Sequence, residues 1–400
     1  MAIKKKILYY SPHPLLNLSS PAGYATHMRE MITAFRAEGH DVRTLIMGGE
    51  DASMVAASGS QAGEPAIKKL VKPFVPARLW ESTKDYQLKR FDLRAEQTLK
   101  QMASEWKPDL IYERCNYLQL SGVKVARELG IKHVLEVNAP YVDERITLAG
   151  KTWWTGQANR IENQQLEGTN LAVVVSTALR DYFIKKHGLA ADKFLVLPNA
   201  VNETLAIPDS VPASIQEELQ KRNIKTVFGF VGSVFPWHGI DLLTEAFAQL
   251  AEQYSDAGLV IVGDGETLPA IQEKVSAWPC AERIWFVGRK SHQEVFSYIA
   301  AMDCTLMVKS NWYGSPVKIF EYGWMNKPII APDTIPVRDV MENEVDGLLI
   351  PPRPDAVRTA MEYYLKHPAK MQEMAAHFHA KIKAHHLWVH NAQQVINSCN

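Results

Sequence analysis

Two doubly wound α/β domains in series are predicted by three features of the 400-residue chain. Short apolar runs alternate with segments of helical period from end to end, the pattern of mostly parallel sheets covered by helices. Between the two series, at residues 203–224, stands a Pro-containing and then charged stretch that reads as a linker with a leading helix. Polar, Gly-rich loops follow many of the apolar runs, on the side where open parallel sheets bind ligands.

The first domain is placed at residues 1–200. Residues 6–10 form its first strand and residues 11–24 a loop rich in Pro, Ser, Asn and Gly. Thr26 then caps a helix whose apolar positions Met28, Met31, Ile32 and Phe35 keep helical spacing. Gly39 ends that helix and residues 41–47 make the next strand. Further strands are expected at 110–112, 132–137, 171–175 and 194–197, with helices at 122–129 and 176–187.

Residues 51–100 break the rhythm and are read as an irregular insertion. Within it, residues 52–66 are rich in Ala, Ser and Gly, and residues 68–80 mix Lys and Arg with apolar side chains and Trp80. That patch suits peripheral contact with a membrane or a lipid-linked acceptor; the plainer alternative is a pair of helices capping the domain. The second domain, residues 201–380, opens at Thr226. It carries strands at 227–231, 258–262, 283–287, 304–308, 328–331 and 347–350. A long helix runs from about Ala369, and residues 381–400 are expected to pack back on the first domain.

Composition narrows the function. Lys+Arg and Asp+Glu both total 44, so no net field recruits nucleic acid or an anionic membrane. Cys115, Cys280, Cys304 and Cys399 form no metal-ligand spacing, which argues against structural zinc and for a reducing compartment. No apolar run approaches the length of a membrane span. The reading is a cytoplasmic chain, with the inner membrane face as a peripheral location.

The loops after the second-domain strands carry the chemistry. Residues 313–331 place Gly314, Ser315, Pro316 and Val317 before a helix bearing Lys318 and Glu321. A helix start offers free N–H groups to an anion, and a carboxylate one turn in can accept from sugar hydroxyls. Lys318 lies three residues before Glu321, so an ion pair between them is the plain expectation. After the first strand of this domain come Gly232, Ser233, Trp237, His238 and Gly239. Glycines there admit a ligand close to the backbone, and His238 can donate to a phosphate. Residues 263–266 read as a turn. Arg289 follows the third strand, and Ser291 with Glu294 fits a capping box.

Taken together, residues 230–247, 260–265, 286–289 and 315–322 resemble the retaining glycosyltransferases of the GT4 family, which have the GT-B fold of two Rossmann-like domains facing a cleft. Pro198-Asn199 matches that family's segment at the domain junction, and Gly23-Tyr24 stands where its first-strand glycine loop is found. The resemblance implies that Glu321 ends the family's Glu-x7-Glu motif and holds the ribose hydroxyls of a nucleotide-sugar. Tyr313 stands at the position of the first Glu, and Ser233 and His238 stand where an Arg and a Lys usually neutralise the donor diphosphate. The sequence therefore follows a Ser-Pro-x-Lys-x-x-Glu-Tyr variant of the pattern.

On this reading the donor site comprises Gly23, Gly232, Ser233, His238, Arg289, Gly314, Ser315, Pro316, Val317, Lys318 and Glu321. The expected reaction is transfer, with retention, of a sugar from a UDP- or GDP-sugar to a hydroxyl acceptor in polysaccharide or glycolipid synthesis. The donor is a substrate, and no cofactor or metal is expected because no Asp-x-Asp element stands at a suitable strand end. Charge on the departing diphosphate would be met by placed protein donors. In the first domain, Asn138 stands where many family members have a His facing the donor sugar. Glu144 is the acid-base candidate, and His238 is grouped with these two as catalytic. Glu113, Arg114, Glu136 and Arg145 read equally as acceptor contacts or as a buried ion-pair network. The three departures leave two alternatives: a catalytically silent GT-B protein that binds a glycan or a partner enzyme, and a sugar-nucleotide epimerase.

Overall fold

The computed structural model describes residues 4–20, 22–49, 76–205 and 207–399. These residues divide into two units, Met1–Leu197 with Trp388–Asn400, and Pro198–Leu387. Each is built on a six-stranded parallel sheet.

In the first unit the strands are β1 (Lys6–Ser11), β2 (Asp41–Ile46), β3 (Leu110–Arg114), β4 (Lys132–Val137), β5 (Leu171–Val174) and β6 (Phe194–Val196). Their spatial order is β2-β1-β3-β4-β5-β6, so strand addition reverses direction beside β1. The helices are α1 (Gly23–Ala37), α2 (Ala77–Trp106), α3 (Ser121–Leu129), α4 (Tyr141–Ala149), α5 (Thr155–Gly168) and α6 (Thr177–His187). Helix α1 buries Met28, Met31, Ile32 and Phe35, the positions whose spacing predicts it. It begins three residues before the expected cap: Ala22 is the N-cap, and Thr26 Oγ1 instead accepts from Arg29 (3.0 Å).

The expected irregular insertion at 51–100 is corrected over its second half. Residues 51–75 lie outside the described residues, and so do residues 68–75 of the basic patch. Pro76 is the N-cap of α2, a 30-residue helix. Its buried positions Ser82, Asp85, Asp92, Ala95, Leu99, Ala103 and Trp106 keep helical spacing, but the first three are polar, which hides the period in the sequence. Each has a tertiary partner. Asp92 accepts from the backbone N–H groups of Leu120 (2.8 Å) and Ser121 (3.3 Å), capping α3 from a neighbouring helix. Asp85 accepts from Thr152 (2.6 Å), Tyr117 (3.2 Å) and Arg145 (3.0 Å).

The second unit holds β7 (Thr226–Val231), β8 (Ala257–Val262), β9 (Ile284–Gly288), β10 (Cys304–Leu306), β11 (Ile329–Pro332) and β12 (Leu348–Ile350). The order β12-β11-β10-β7-β8-β9 puts the topological switch between β7 and β10, the place where such sheets bind ligands at their carboxyl ends. Its helices are α7 (Ala213–Lys221), α8 (Ile240–Ala251), α9 (Leu268–Ser276), α10 (His292–Ala301), α11 (Val317–Trp324), α12 (Ile335–Arg338), α13 (Pro354–Lys366) and α14 (Pro368–His385). Phe228 and Phe230 of β7, Phe247 of α8, and Leu259 and Ile261 of β8 are wholly buried in one core. Each such side chain contributes about 1.5–3 kcal/mol by leaving water. This fixes β7 and, with it, the loop that follows.

The expected long C-terminal helix is two helices. Helix α14 ends at His385, and α15 (Trp388–Ser398) belongs to the first unit, where it packs on α1. Its Trp388 ring meets His27 of α1 edge-on at 4.6 Å.

Candidate functional site: the strand ends of the second unit

Three strands of the second sheet end in linked glycine turns. The N–H of Gly232, after β7, donates to the Val262 carbonyl (2.9 Å), and that of Gly263, after β8, donates to the Gly288 carbonyl (2.9 Å). Gly232 has φ +146° and Gly263 φ +142°, a region that side chains disfavour. A Cβ on Gly263 would stand 1.8 Å from the Gly232 carbonyl oxygen, so the two loops meet backbone to backbone.

A Cβ on Gly232 would stand 3.0 Å from Cε and 3.3 Å from Nζ of Lys318. This glycine thus makes room for the lysine that comes from the start of α11. The expected Lys318–Glu321 ion pair does not form. Lys318 Nζ lies instead 5.1 Å over the Phe230 ring, and none of the described carboxylates is within ion-pair distance of it. Burial lowers its pKa to about 8, with Glu321 pulling the other way from further off. Glu321 faces His292, whose Nε2 is 3.2 Å from Oε1. Geometry explains the separation: a side chain at the first turn of α11 points back toward β7, where Phe230 and Gly232 offer an apolar shelf.

His238 ends a short 3-10 turn, Pro236–His238, beside the same strand end. Its Nδ1 donates to the Ser233 carbonyl at 2.5 Å, while the Ser233 hydroxyl is 3.4 Å away. Burial, with Lys318 nearby, lowers the His238 pKa to about 4, so the ring is neutral at physiological pH. Its Nε2 is then an acceptor, and His238 donates to a phosphate only after taking up a proton. Trp237 is 46% exposed and stacks on Phe235 at 4.7 Å.

The loop before α11 is more committed than its sequence conveys. The Gly314 N–H already donates to Asn311 Oδ1 (2.6 Å), and Pro316 has no N–H. The expected amide cradle over 314–317 is therefore reduced. The orphan N–H groups of the α11 start remain the donors that a helix terminus provides. Ser315 is also occupied: its hydroxyl accepts from the Asn199 N–H (2.9 Å), and its carbonyl accepts from Asn199 Nδ2 (2.6 Å). Pro198-Asn199 thus sets the loop conformation. A further anchor escaped sequence reading, although the Glu-Tyr pair marks it: the buried Tyr322 hydroxyl accepts from the Val231 N–H (2.9 Å). That bond ties α11 to the end of β7.

Gly232, Ser233, His238, residues 314–317, Lys318 and Glu321 therefore gather around the ends of β7 and β10. Arg289 does not join them; it is exposed, one residue beyond β9 and two strands from β7. Ser291 and Glu294 form the expected capping box.

Gly23, Asn138 and Glu144 lie in the first unit. Gly23 is the first residue of α1 with open space at its Cα. Asn138 Nδ2 donates to Glu136 Oε1 (2.5 Å), and Glu144 stands half-buried in the first turn of α4. Glu136 also accepts from Arg114 (2.6 Å) and Tyr112 (2.9 Å), and His27 Nε2 is 3.1 Å from it. Burial favours its neutral form, but His27 and Arg114 outweigh that and hold the carboxyl at about 2. Glu113 pairs with His133 (2.9 Å), and Arg145 with Glu81 (2.9 Å) and Asp85 (3.0 Å). Each of these four charges is thus held in an ion pair within the first unit.

The model for group 1 glycosyl transferases matches residues 213–383, and that for glycosyltransferase family 4 matches residues 21–205. The chain is similar to an alpha-D-kanosaminyltransferase of Streptomyces kanamyceticus, 23% identical over 63% of this chain and 66% of that one. It is similar too to the GPI3 subunit of a phosphatidylinositol N-acetylglucosaminyltransferase of Saccharomyces cerevisiae, 24% identical over 46% of this chain and 39% of that one. Neither relative is matched over its whole length. In fold the chain is like HepE of Anabaena, solved in complex with UDP, at a TM-score of 0.73, 16% identity and coverage of 98% and 99%. With one family model on each unit and this fold beneath them, the chain is a GT-B glycosyltransferase of the GT4 type.

Proposed function

We propose that the chain moves a sugar from a nucleoside-diphosphate sugar to a hydroxyl acceptor, with retention at the anomeric carbon. The observation that carries this reading is Lys318, a half-buried ammonium beside the end of β7 to which no carboxylate of the described residues is paired. An ammonium so placed costs stability until an anion arrives. A diphosphate supplies that anion, and its growing charge as the sugar leaves makes the contact stronger in the transition state than before it. The N–H groups at the start of α11 add to the same effect. Glu321, one turn further along, accepts from the ribose hydroxyls. His238 takes up a proton when the diphosphate binds beside it.

The relatives named above act on sugars, and HepE was solved with UDP, which supports a nucleotide-sugar donor here. The charge-stabilising groups proposed are all protein groups, so transfer is expected to persist in EDTA. The test is thermal shift with UDP, GDP and their glucose conjugates, followed by transfer to added acceptors. Stabilisation by a nucleoside diphosphate and its loss in Lys318→Met are expected. No shift with any of these ligands at millimolar concentration would refute the assignment. Free epimer released without an acceptor would favour the epimerase alternative.

A further inference from the structure

We propose that the outer face of α2, together with the turn at residues 148–153, docks on an anionic lipid bilayer. Leu79, Tyr86 and Leu93 recur every seven residues along α2 and are 37%, 49% and 58% exposed. Seven helical steps return to within about 20° of the starting direction, so the three form one line facing solvent. The far side of the helix, with Asp85, Asp92, Ala95 and Leu99, is buried, and Ser82 is buried at the flank of the line.

A second exposed apolar group is fixed beside the first. Trp153 is 63% exposed and Leu148 80%. The Trp153 N–H donates to Ser82 Oγ (3.1 Å), and Trp154 Nε1 donates to the Ser82 carbonyl (2.9 Å). Tyr86 stacks on Trp154 at 5.9 Å, and Arg145, one turn before Leu148, holds Glu81 and Asp85. A rigid aromatic-aliphatic surface of this kind, rather than scattered single side chains, marks an interaction site.

Charge identifies what covers it. Between residues 78 and 94, α2 carries Arg78, Lys84, Lys89, Arg90 and Arg94 against Glu81, Asp85 and Asp92. All three acids are used internally: Glu81 by Lys84 and Arg145, Asp85 by Arg145, and Asp92 by the start of α3. Helical position puts Arg90 and Arg94 on one flank of the apolar line and Arg78 and Lys89 on the other. Lys89 is drawn inward over the Trp154 ring at 4.2 Å, and exposed Lys151 adds a further cation in the turn. A second copy presenting the same face would oppose like charges. A bilayer with anionic headgroups meets the cations while the Leu and Trp side chains enter its interface. This contact is separate from the transfer reading, because vesicle binding is measured without turnover.

The test is co-sedimentation of the full chain with vesicles of phosphatidylglycerol and phosphatidylcholine, and with vesicles of phosphatidylcholine alone. Binding to the anionic vesicles that weakens as salt rises is expected. Arg90→Glu with Arg94→Glu should lower the partition coefficient roughly tenfold or more. Leu93→Ser with Trp153→Ser should lower it while leaving the salt dependence in place. All four side chains are exposed, so both variants should melt with the parent protein. Equal partition to both vesicle types, or unchanged binding in both variants, overturns the proposal. So does a patch-dependent dimer that ignores vesicles. Any of these leaves transfer to a soluble acceptor untouched.

Discussion

The two units end their strands in opposite electrostatic conditions. In the first, every carboxylate at the ends of β3 and β4 has a cationic or histidine partner, and Glu136 collects four side chains around one buried group. In the second, the ammonium of Lys318 lies over an aromatic ring, with no carboxylate of the described residues within ion-pair distance. A satisfied network resists rearrangement, whereas an unmatched charge is held ready for a ligand. On the proposed function the contrast separates a scaffold from a grip, although both stand at the carboxyl ends of similar sheets.

The largest expected effect breaks the scaffold. Glu136→Leu strands the Arg114 guanidinium in the interior and should cost about 3–5 kcal/mol in urea unfolding. A loss under 1 kcal/mol would show that the network is loosely solvated and would erase the contrast. A related effect appears with pH. Because the folded Glu136 carboxyl titrates near 2, below the ordinary glutamate value of 4.5, its contribution is fully present above pH 4.5 and is lost as pH falls through 2. It amounts to roughly 3 kcal/mol, read from melting temperature against pH.

Lys318 should respond to substitution in the reverse sense and to pH in the same one. Lys318 titrates near 8 when folded and near 10.5 when unfolded, so the unfolded chain binds more protons between those values. Stability of the free protein therefore rises with pH across that window, and Lys318→Met should raise it by about 1–3 kcal/mol at neutral pH. The same variant should lose the nucleotide-induced shift. Diphosphate affinity of the parent should fall about tenfold per pH unit above 8, as calorimetry would show. If Lys318→Met destabilises the free protein, the lysine is structural.

Two smaller effects sharpen the assignment. Glu321→Ala should weaken UDP binding by about 1–2 kcal/mol and leave pyrophosphate binding unchanged, since only UDP carries a ribose. Equal losses for both ligands would place the carboxylate near the phosphates instead. Asn199→Ala removes the side-chain bond to the Ser315 carbonyl while the backbone N–H keeps the bond to its hydroxyl, and should cost about 1 kcal/mol of stability, with a looser nucleotide response as the loop relaxes.

Much of this was legible in the chain. The apolar runs of β7 and β8 and the Met28–Phe35 spacing of α1 fix strand and helix by period alone, because burial on one or both faces dictates where apolar side chains fall. Helix α2 was not legible, because Ser82, Asp85 and Asp92 break the apolar period and their partners lie far along the sequence. The same limit acted at the site. Lys318 and Glu321 are spaced for an ion pair, and local rules choose that pairing. Only the packed sheet supplies Phe230 and Gly232 as the alternative resting place.

By itself, then, the sequence determined the two β-α series, the glycine turns at the strand ends and the loop-helix element carrying Glu321. These follow from period, backbone freedom and short-range chemistry. The tertiary structure decided which charges are neutralised and which are not. It joined Asn199 to Ser315, Tyr322 to Val231 and Glu136 to Arg114, and among the described residues gave Lys318 no carboxylate partner. The reason is that a charge is satisfied by whatever lies within a few ångströms in space, and that is set by the packing of distant segments rather than by neighbours in the chain.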